Sequence, residues 1–192
     1  MTVYCATTNA GKLREFRQSA PPAIKVEVLP ALHEIEPPDE TGATFEENAI
    51  LKALHYGAHH PGYVFVDDSG LEVDALNGAP GVWSARFAGA AATDATNNAL
   101  LLEKLSAAPD RTARFVCVVA LAHNGKLVGT FRGAVEGQIA LTPTGPNGFG
   151  YDPLFYYPPF GCTFGEAPLD QKMTVSHRSQ ALHAMFQSLL VS

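Results

Sequence analysis

Two adjacent carboxylates, Asp67 and Asp68, follow a short apolar segment and precede Ser69 and Gly70. The segment Tyr63–Val66 is predicted to be a strand, so the pair is expected at a strand end. Carboxylate oxygens are the ligands that hard divalent cations require, and a carboxylate beside such a cation can also accept a proton from water. An Asx-type turn with solvated acids is an equally good interpretation of this segment taken alone.

A second possible metal ligand is Glu40, which lies in an acidic loop predicted over Glu34–Gly42. Taken alone, such a residue is more often a surface charge. Glu47 is interpreted as structural, because Thr44 and Glu47 have the spacing of a capping box at a helix start.

The best helix prediction runs from Thr44 to about His59, and Pro61 closes the segment. On a helical wheel Asn48 and Lys52 share a narrow polar stripe with His55, while most other positions are apolar. A helix of this kind is buried on most sides, so its polar stripe is expected to face a specific partner. Three histidines near its end look like a metal cluster but lack supporting carboxylates, and they are interpreted as surface residues: His55, His59 and His60.

Small and polar residues also follow the first predicted strand, at the start of the first predicted helix. They are Thr7, Thr8, Asn9, Ala10, Gly11 and Lys12. A turn of this kind places backbone N–H groups where an anion can bind, with a lysine beside them. The spacing is not that of a Walker A loop. Taken alone, the segment favours a plain strand-to-helix turn with a solvated lysine.

The glycine-rich loop between Gly145 and Pro153 permits tight turns, and its Phe149 could stack on a flat ring. The alternative is a flexible loop whose phenylalanine fills the core. Shortly before the last predicted helix, Lys172, His177 and Arg178 form a basic group. As a bare cluster, such a group is most often solvated.

Composition limits the possible functions. The 192-residue chain is 46% hydrophobic and carries a net charge of −6, which argues against a broad nucleic-acid surface. No apolar run approaches the roughly 18 residues of a membrane span, and the N-terminus lacks a signal-peptide pattern. Cys5, Cys117 and Cys162 form no CxxC pair, and the first two lie in apolar segments typical of buried thiols. These features predict a cytoplasmic protein without membrane or nucleic-acid partners.

The predicted fold is mixed α/β, with long antiparallel strands flanked by helices in a single domain over residues 1–192. Predicted strands are Thr2–Thr7, Ile24–Leu29, Tyr63–Val66, Thr112–His123 and Lys126–Ile139. Predicted helices are Lys12–Ser19, Thr44–His59, Thr93–Leu105 and Ser179–Val191. Asn124 and Gly125 join the two longest strands and give the strongest hairpin signal in the chain.

Five separated segments, in order along nearly the whole chain, closely resemble the inosine triphosphate pyrophosphatase family. They read TTNAGK, ETGATFEENAILKA, DDSGLEVDALNGAPGVWSAR, GPNGFGYDPLF and, after Lys172, SHRSQAL. That family hydrolyses deaminated purine triphosphates such as ITP, XTP and their deoxy forms to a monophosphate and pyrophosphate. The resemblance implies an elongated α/β protein of two lobes with the active-site cleft between them, assembled as a homodimer.

The resemblance also implies roles for individual residues. Glu40 and Asp68 would hold Mg²⁺, and Asp68 would accept the proton of the attacking water. Lys52 and the turn residues Thr7, Thr8, Asn9, Ala10, Gly11 and Lys12 would bind the phosphates, and Ser69 would contact the substrate. The residues expected to line the base pocket are Phe149, Gly150, Tyr151, Asp152, His177 and Arg178, and Lys172 would approach the nucleotide.

Three residues depart from the family pattern. Thr8 stands where glycine is common, and Gln171 and Met173 flank Lys172 where a glutamate and a small polar residue are usual. Their effect is expected on the shape of the base pocket. Two rival functions are a related pyrophosphatase for modified pyrimidine triphosphates and a non-catalytic nucleotide sensor.

Overall fold

The computed structural model describes residues 1–191 and has a mixed α/β architecture built on one seven-stranded sheet. The strands β1 to β7 are Thr2–Cys5, Lys25–Val28, Tyr63–Val73, Thr112–His123, Lys126–Ile139, Phe155–Tyr157 and Cys162–Thr163. The helices α1 to α5 are Ala10–Ser19, Phe45–Gly57, Asp94–Lys104, Leu169–Met173 and His177–Val191. The predicted fold class is confirmed.

The strand order is β2-β1-β3-β4-β5-β6-β7. β1 runs parallel to β2 and β3, whereas β6 is antiparallel to both β5 and β7, so the sheet is mixed. The bounds of β4 and β5 match the prediction to the residue. Asn124 and Gly125 between them have φ values of 51° and 70°, as the two-residue turn of a tight hairpin requires.

The third strand is longer than predicted. It continues through Asp67 and Asp68 to Val73 and spans 11 residues, so the expected strand end after Val66 is wrong. Consecutive side chains of a strand point to opposite faces of a sheet. The two carboxylates therefore do not act as a pair, and each has its own set of partners.

The helix α2 begins where the sequence predicts. Thr44 Oγ1 accepts a hydrogen bond from the backbone N–H of Glu47 at 3.1 Å. The Glu47 carboxylate accepts from the N–H of Ala43 at 2.7 Å, so the reciprocal bond of the expected capping box is displaced by one residue. The helix α1 begins at Ala10, two residues before the prediction, because Asn9 caps it by accepting from Lys12 N–H.

The chain divides into two compact units. The first unit comprises Met1–Asp68, Cys117–Gly133 and the C-terminal segment from His177, and the second comprises Ser69–Val116 and Ala134–Ser176. Each unit has its own apolar core, the first including Phe16, Phe65 and Phe186, and the second Leu101, Phe155 and Phe164. The single domain over residues 1–192 stays a prediction.

The three cysteines, all within the described residues, are free thiols. Cys5 and Cys117 are buried in the first core, as predicted. Burial raises the pKa of the Cys5 thiol to about 12, which makes it unreactive near neutral pH. Across residues 1–191, the chain contains no helix with both the length and the apolar character needed to cross a membrane.

Candidate active site

In the first unit, Lys52 joins two carboxylates. Its Nζ donates to Asp68 Oδ1 at 2.6 Å and to Glu40 Oε1 at 2.9 Å. Lys52 lies on α2, Asp68 on β3 and Glu40 in the acidic loop before α2. Their side chains are largely buried, since Lys52 is 14% exposed, Asp68 12% and Glu40 28%. These three expected site residues therefore lie together.

The polar stripe of α2 holds the acidic loop in place. Asn48 Oδ1 accepts from the backbone N–H of Gly42 at 2.8 Å, and His55 Nε2 lies 2.8 Å from the carbonyl oxygen of Glu36. With the contact from Lys52 to Glu40, the stripe binds the loop at three points. The specific partner expected of this stripe is the acidic loop together with Asp68.

The environment of Asp68 disfavours its charge. Burial raises the pKa of Asp68 above its ordinary value, and attraction to Lys52 only partly offsets this. Burial also works against the charged form of Lys52, but attraction to Asp68 and Glu40 prevails and raises its pKa. Lys52 therefore remains a cation between two carboxylates.

Asp67 belongs to a different, more deeply buried network in the first unit. Its Oδ1 accepts from Lys12 Nζ at 2.9 Å, and its Oδ2 accepts from Arg178 Nε at 3.0 Å. Arg178 Nη1 also donates to Glu15 Oε2 at 2.5 Å. Only 2–3% of the side chains of Asp67, Arg178 and Glu15 is exposed, whereas Lys12 is 22% exposed.

In this network two carboxylates, Glu15 and Asp67, face two cations, Lys12 and Arg178. Burial opposes the ionisation of Asp67, but Lys12 and Arg178 outweigh it and hold the pKa of Asp67 well below its usual range. The network links α1, β3 and α5, because Glu15, Asp67 and Arg178 lie on these three elements. It therefore fixes the helix that follows the expected phosphate-binding turn.

That turn, from Thr7 to Lys12, connects β1 to α1. Thr7 Oγ1 accepts from Asn9 N–H at 3.2 Å, and Asn9 Oδ1 accepts from Lys12 N–H at 3.0 Å. Ala10 and Gly11 follow as the first residues of α1, whose N–H groups have no intrahelical acceptor by geometry. Thr8 and Asn9 are exposed. The turn has the form that anion binding at a helix N-terminus requires.

In the second unit, Asp152 organises the glycine-rich loop. Its Oδ2 accepts from the backbone N–H of Phe149 at 2.9 Å and from Lys172 Nζ at 2.7 Å. The Lys172 ammonium also lies 5.2 Å from the centre of the Phe149 ring. Phe149 is half-buried and is not part of the apolar core, so it does not fill the core as the alternative interpretation had it.

The remaining expected site residues take varied positions. Tyr151 is buried, and its hydroxyl donates to the carbonyl of Ser84 at 2.8 Å. Ser69 is half-buried in β3, and His177 is buried at the start of α5. Arg178 was expected at the base, but it contacts two carboxylates within the first unit, so its role at the base stays a prediction.

The cluster of Glu40, Lys52 and Asp68 fits a divalent cation in its chemistry. Oxygens of two carboxylates already surround one cationic centre, the Lys52 ammonium. Mg²⁺ is commonly held by one or two carboxylates together with substrate phosphates. Among residues 1–191, no group of three or more His, Cys, Asp or Glu side chains is arranged to hold a metal ion. The carboxylates that Lys52 contacts are those of Glu40 and Asp68.

Two residues of these networks were not expected from the sequence. Glu15 has the position of an ordinary helix-surface acid, three residues after Lys12, yet it is buried against Arg178. The sequence also predicts no role for Asp67 distinct from that of Asp68. Side chains alternate between the two faces of a strand. A strand predicted through Asp67 and Asp68 would therefore place their carboxylates on opposite faces.

Comparison with known proteins gives a consistent result. The Ham1 family matches residues 3–188. A protein named dITP/XTP pyrophosphatase from an Exiguobacterium species is 51% identical over 186 residues, covering 96% of this chain and 95% of that protein. The Ham1 protein of Coxiella burnetii superposes with a TM-score of 0.89 at 40% identity over the full length of both chains. The Staphylococcus aureus Ham1 protein gives 0.87 at 41% identity over 98% of both. The chain belongs to the Ham1 family.

Proposed function

We propose that this protein hydrolyses deaminated purine nucleoside triphosphates, ITP, dITP and XTP, to the monophosphate and pyrophosphate. The observation that carries the proposal is the convergence of Glu40, Lys52 and Asp68, which brings two carboxylates and a cation to one place. Relatives that are 46–51% identical and named dITP/XTP pyrophosphatase support the proposal.

The proposed cofactor is Mg²⁺, held by Glu40 and Asp68. When bound, the ion supplies positive charge that stabilises the negative charge developing on the phosphate oxygens. The two carboxylates fit this role because their oxygens are hard ligands and lie 2.6 and 2.9 Å from the same ammonium nitrogen.

The side chains of the first unit divide the chemistry between them. Asp68 accepts a proton from the water that attacks the α-phosphorus, so that pyrophosphate leaves. Lys52 has three N–H donors, of which the contacts to Asp68 and Glu40 use two, and a phosphate oxygen can take the third. Lys12 and the N–H groups at the start of α1 bind the other phosphate oxygens.

Discrimination at the base follows from hydrogen-bond polarity. Hypoxanthine and xanthine present an acceptor at C6, where adenine presents an amino donor. Lys172 has only donors to offer, and Asp152 fixes its position in the second unit. Adenine would set donor against donor, and such a mismatch in a hydrogen-bonding site lowers kcat/KM by about 10²-fold or more. Phe149 would stack on any purine and so contributes affinity without this discrimination.

The test is hydrolysis of ITP, dITP, XTP, ATP and GTP by the full chain with Mg²⁺ in ¹⁸O-water. We expect the label in the monophosphate, unlabelled pyrophosphate as the second product, and kcat/KM for ITP at least about 10²-fold above that for ATP. Chelation with EDTA should abolish turnover, and added Mg²⁺ should restore it. Sequential release of orthophosphate, or equal turnover of ATP and ITP, would refute the proposal.

The proposal includes a homodimer acting in the cytoplasm, by analogy with the family that the sequence motifs resemble. Light scattering at micromolar concentration should report twice the chain mass of 20.4 kDa. A monomer under these conditions would refute the dimer and leave the proposed reaction intact.

A further inference from the structure

Gly150, within the proposed base-binding segment, is held on both sides by a single helix. The N–H of Gly150 donates to Asp94 Oδ2 at 2.7 Å, and its carbonyl oxygen accepts from Asn98 Nδ2 at 2.9 Å. Asp94 and Asn98 are four residues apart on α3 and therefore lie one turn apart on the same face. None of the expected phosphate or metal residues takes part in these contacts.

These two contacts restrain a glycine of the loop. Gly150 has a φ of +63°, a conformation that glycine adopts without steric cost. Its N–H belongs to the peptide group shared with Phe149, and its carbonyl to the peptide group shared with Tyr151. Holding both peptide groups fixes rotation on either side of the glycine Cα, and so fixes the directions in which the chain leaves toward Phe149 and Tyr151.

The neighbours of Gly150 are anchored by contacts of their own. The N–H of Phe149 donates to Asp152 Oδ2 at 2.9 Å, so the Phe149 backbone is bound through the peptide group on each of its sides. Beyond Gly150, the Tyr151 hydroxyl bonds to the Ser84 carbonyl. The Phe149 ring, only half-buried, thus stands on a backbone that is fixed before any ligand arrives.

We infer that Asp94 and Asn98 are positioning residues for base recognition, because they hold Gly150 in the conformation that presents the Phe149 ring to a purine. The inference rests on the proposed function, in which Phe149 stacks on the base. A preformed stacking surface binds more tightly because the ligand does not have to order it. Neither residue touches the reacting phosphorus in the proposed mechanism, so their loss affects binding of the base and leaves the chemical step unchanged.

The experiment compares Asp94→Ala, Asn98→Ala and Asp94→Asn in the full chain with ITP as substrate. Each alanine variant should raise KM for ITP about tenfold, the scale of one lost hydrogen bond to a charged or well-fixed group, with kcat within about twofold. Asp94→Asn keeps an acceptor oxygen and should restore KM to within about twofold of the wild type. Asp94→Asn also removes the negative charge near the N-terminus of α3. If KM is nevertheless restored, the effect of Asp94→Ala comes from the lost contact with Gly150 and not from a changed charge on the helix.

Two measurements separate positioning from mere structural damage. Inhibition by inorganic triphosphate, which has no base, should be unchanged in all variants, whereas a general loss of structure would weaken it in parallel with ITP. Glu103→Ala removes an exposed acid from the same helix, away from Gly150, and should leave every parameter unchanged.

The outcomes distinguish this inference from the proposed function. If the wild type hydrolyses ITP and both alanine variants retain its KM, the inference is wrong and the proposed function stands. The inference is also wrong if Asp94→Asn is as impaired as Asp94→Ala, or if inhibition by inorganic triphosphate weakens together with ITP binding. If the wild type hydrolyses no purine triphosphate, the proposed function fails and the inference fails with it.

Discussion

Asp67 and Asp68 are neighbours in one strand, yet they occupy two very different electrostatic regions. The Asp67 side chain is 2% exposed and lies between Lys12 and Arg178, with Glu15 completing a buried network. The Asp68 side chain is 12% exposed and shares one cation, Lys52, with a second carboxylate. In the first region two carboxylates contact two cations, and in the second two carboxylates contact the same lysine.

The pKa values follow this difference in contacts. Burial raises the pKa of Asp68; attraction to Lys52 offsets this rise only in part, and the nearby charge of Glu40 adds to it. The pKa of Asp67 is lowered despite burial, because Lys12 and Arg178 both face it. The region of Glu40, Lys52 and Asp68 is the one to which the proposed function assigns the cation and the proton acceptor. The region of Asp67 is suited to hold α1, β3 and α5 together.

The largest effect is expected from Asp67→Asn. This change leaves Lys12 and Arg178 with Glu15 as the remaining carboxylate of their network, and an uncompensated buried charge costs about 3–5 kcal/mol. Urea unfolding should therefore show a free energy of unfolding lower by about that amount. Asp68→Asn, measured in parallel, should lose less than half as much, because its side chain is more exposed. Equal losses would show that the two regions contribute equally to the free energy of unfolding.

Asp68→Asn tests the chemical role of the region formed by Glu40, Lys52 and Asp68. If Asp68 accepts the proton of the attacking water, kcat for ITP should fall by about 10²-fold or more, while nucleotide binding persists. The matched control is Asp74→Asn, an aspartate on the surface of the second unit whose partner is Arg114. It should keep kcat within about twofold of the wild type. Turnover by Asp68→Asn at a comparable level would remove Asp68 from the chemistry.

The smallest effect is expected from Arg114→Ala. Arg114 pairs with three carboxylates, Asp74 at 2.8 Å, Glu136 at 3.0 Å and Glu72 at 3.8 Å, but its side chain is 25% exposed. Exposed ion pairs contribute about 0–1 kcal/mol, so the free energy of unfolding should change by no more than that. A loss as large as that of Asp67→Asn would mean that the number of partners, and not burial, decides the energy.

Where hydrophobic pattern and local hydrogen bonds determine an element, the sequence predicted it well. The hairpin of β4 and β5 is indicated by two long predicted strands joined by Asn124-Gly125, and α2 is indicated by the Thr44 cap. The end of β3 was misplaced because Asp, Ser and Gly are disfavoured in strands. In the folded chain, the cations Lys12 and Lys52 compensate Asp67 and Asp68 and make the strand continue through them.

The residues of the candidate site also differ in how far the sequence alone could predict their contacts. Glu40, Lys52 and Asp68 could be grouped from the sequence because their motifs resemble a known family and because Lys52 lies on a polar stripe of an otherwise apolar helix. Glu15 and Arg178 could not be paired, since 163 positions separate them and each looks like a solvated charge in its own helix. Such a pair depends on the tertiary packing of α1 against α5, which no local pattern reports.

The long separation of Glu15 and Arg178 in the sequence has a consequence for biosynthesis. The ribosome makes the chain from the N-terminus, so Glu15 and Asp67 are synthesised long before Arg178, which lies in the last helix. Until then, the nascent first unit contains both carboxylates and Lys12 but lacks the arginine that each carboxylate contacts in the folded chain. The N-terminal half thus cannot bury Glu15 with this partner during translation. The network of Glu15, Asp67 and Arg178 can form only after Arg178 has been synthesised.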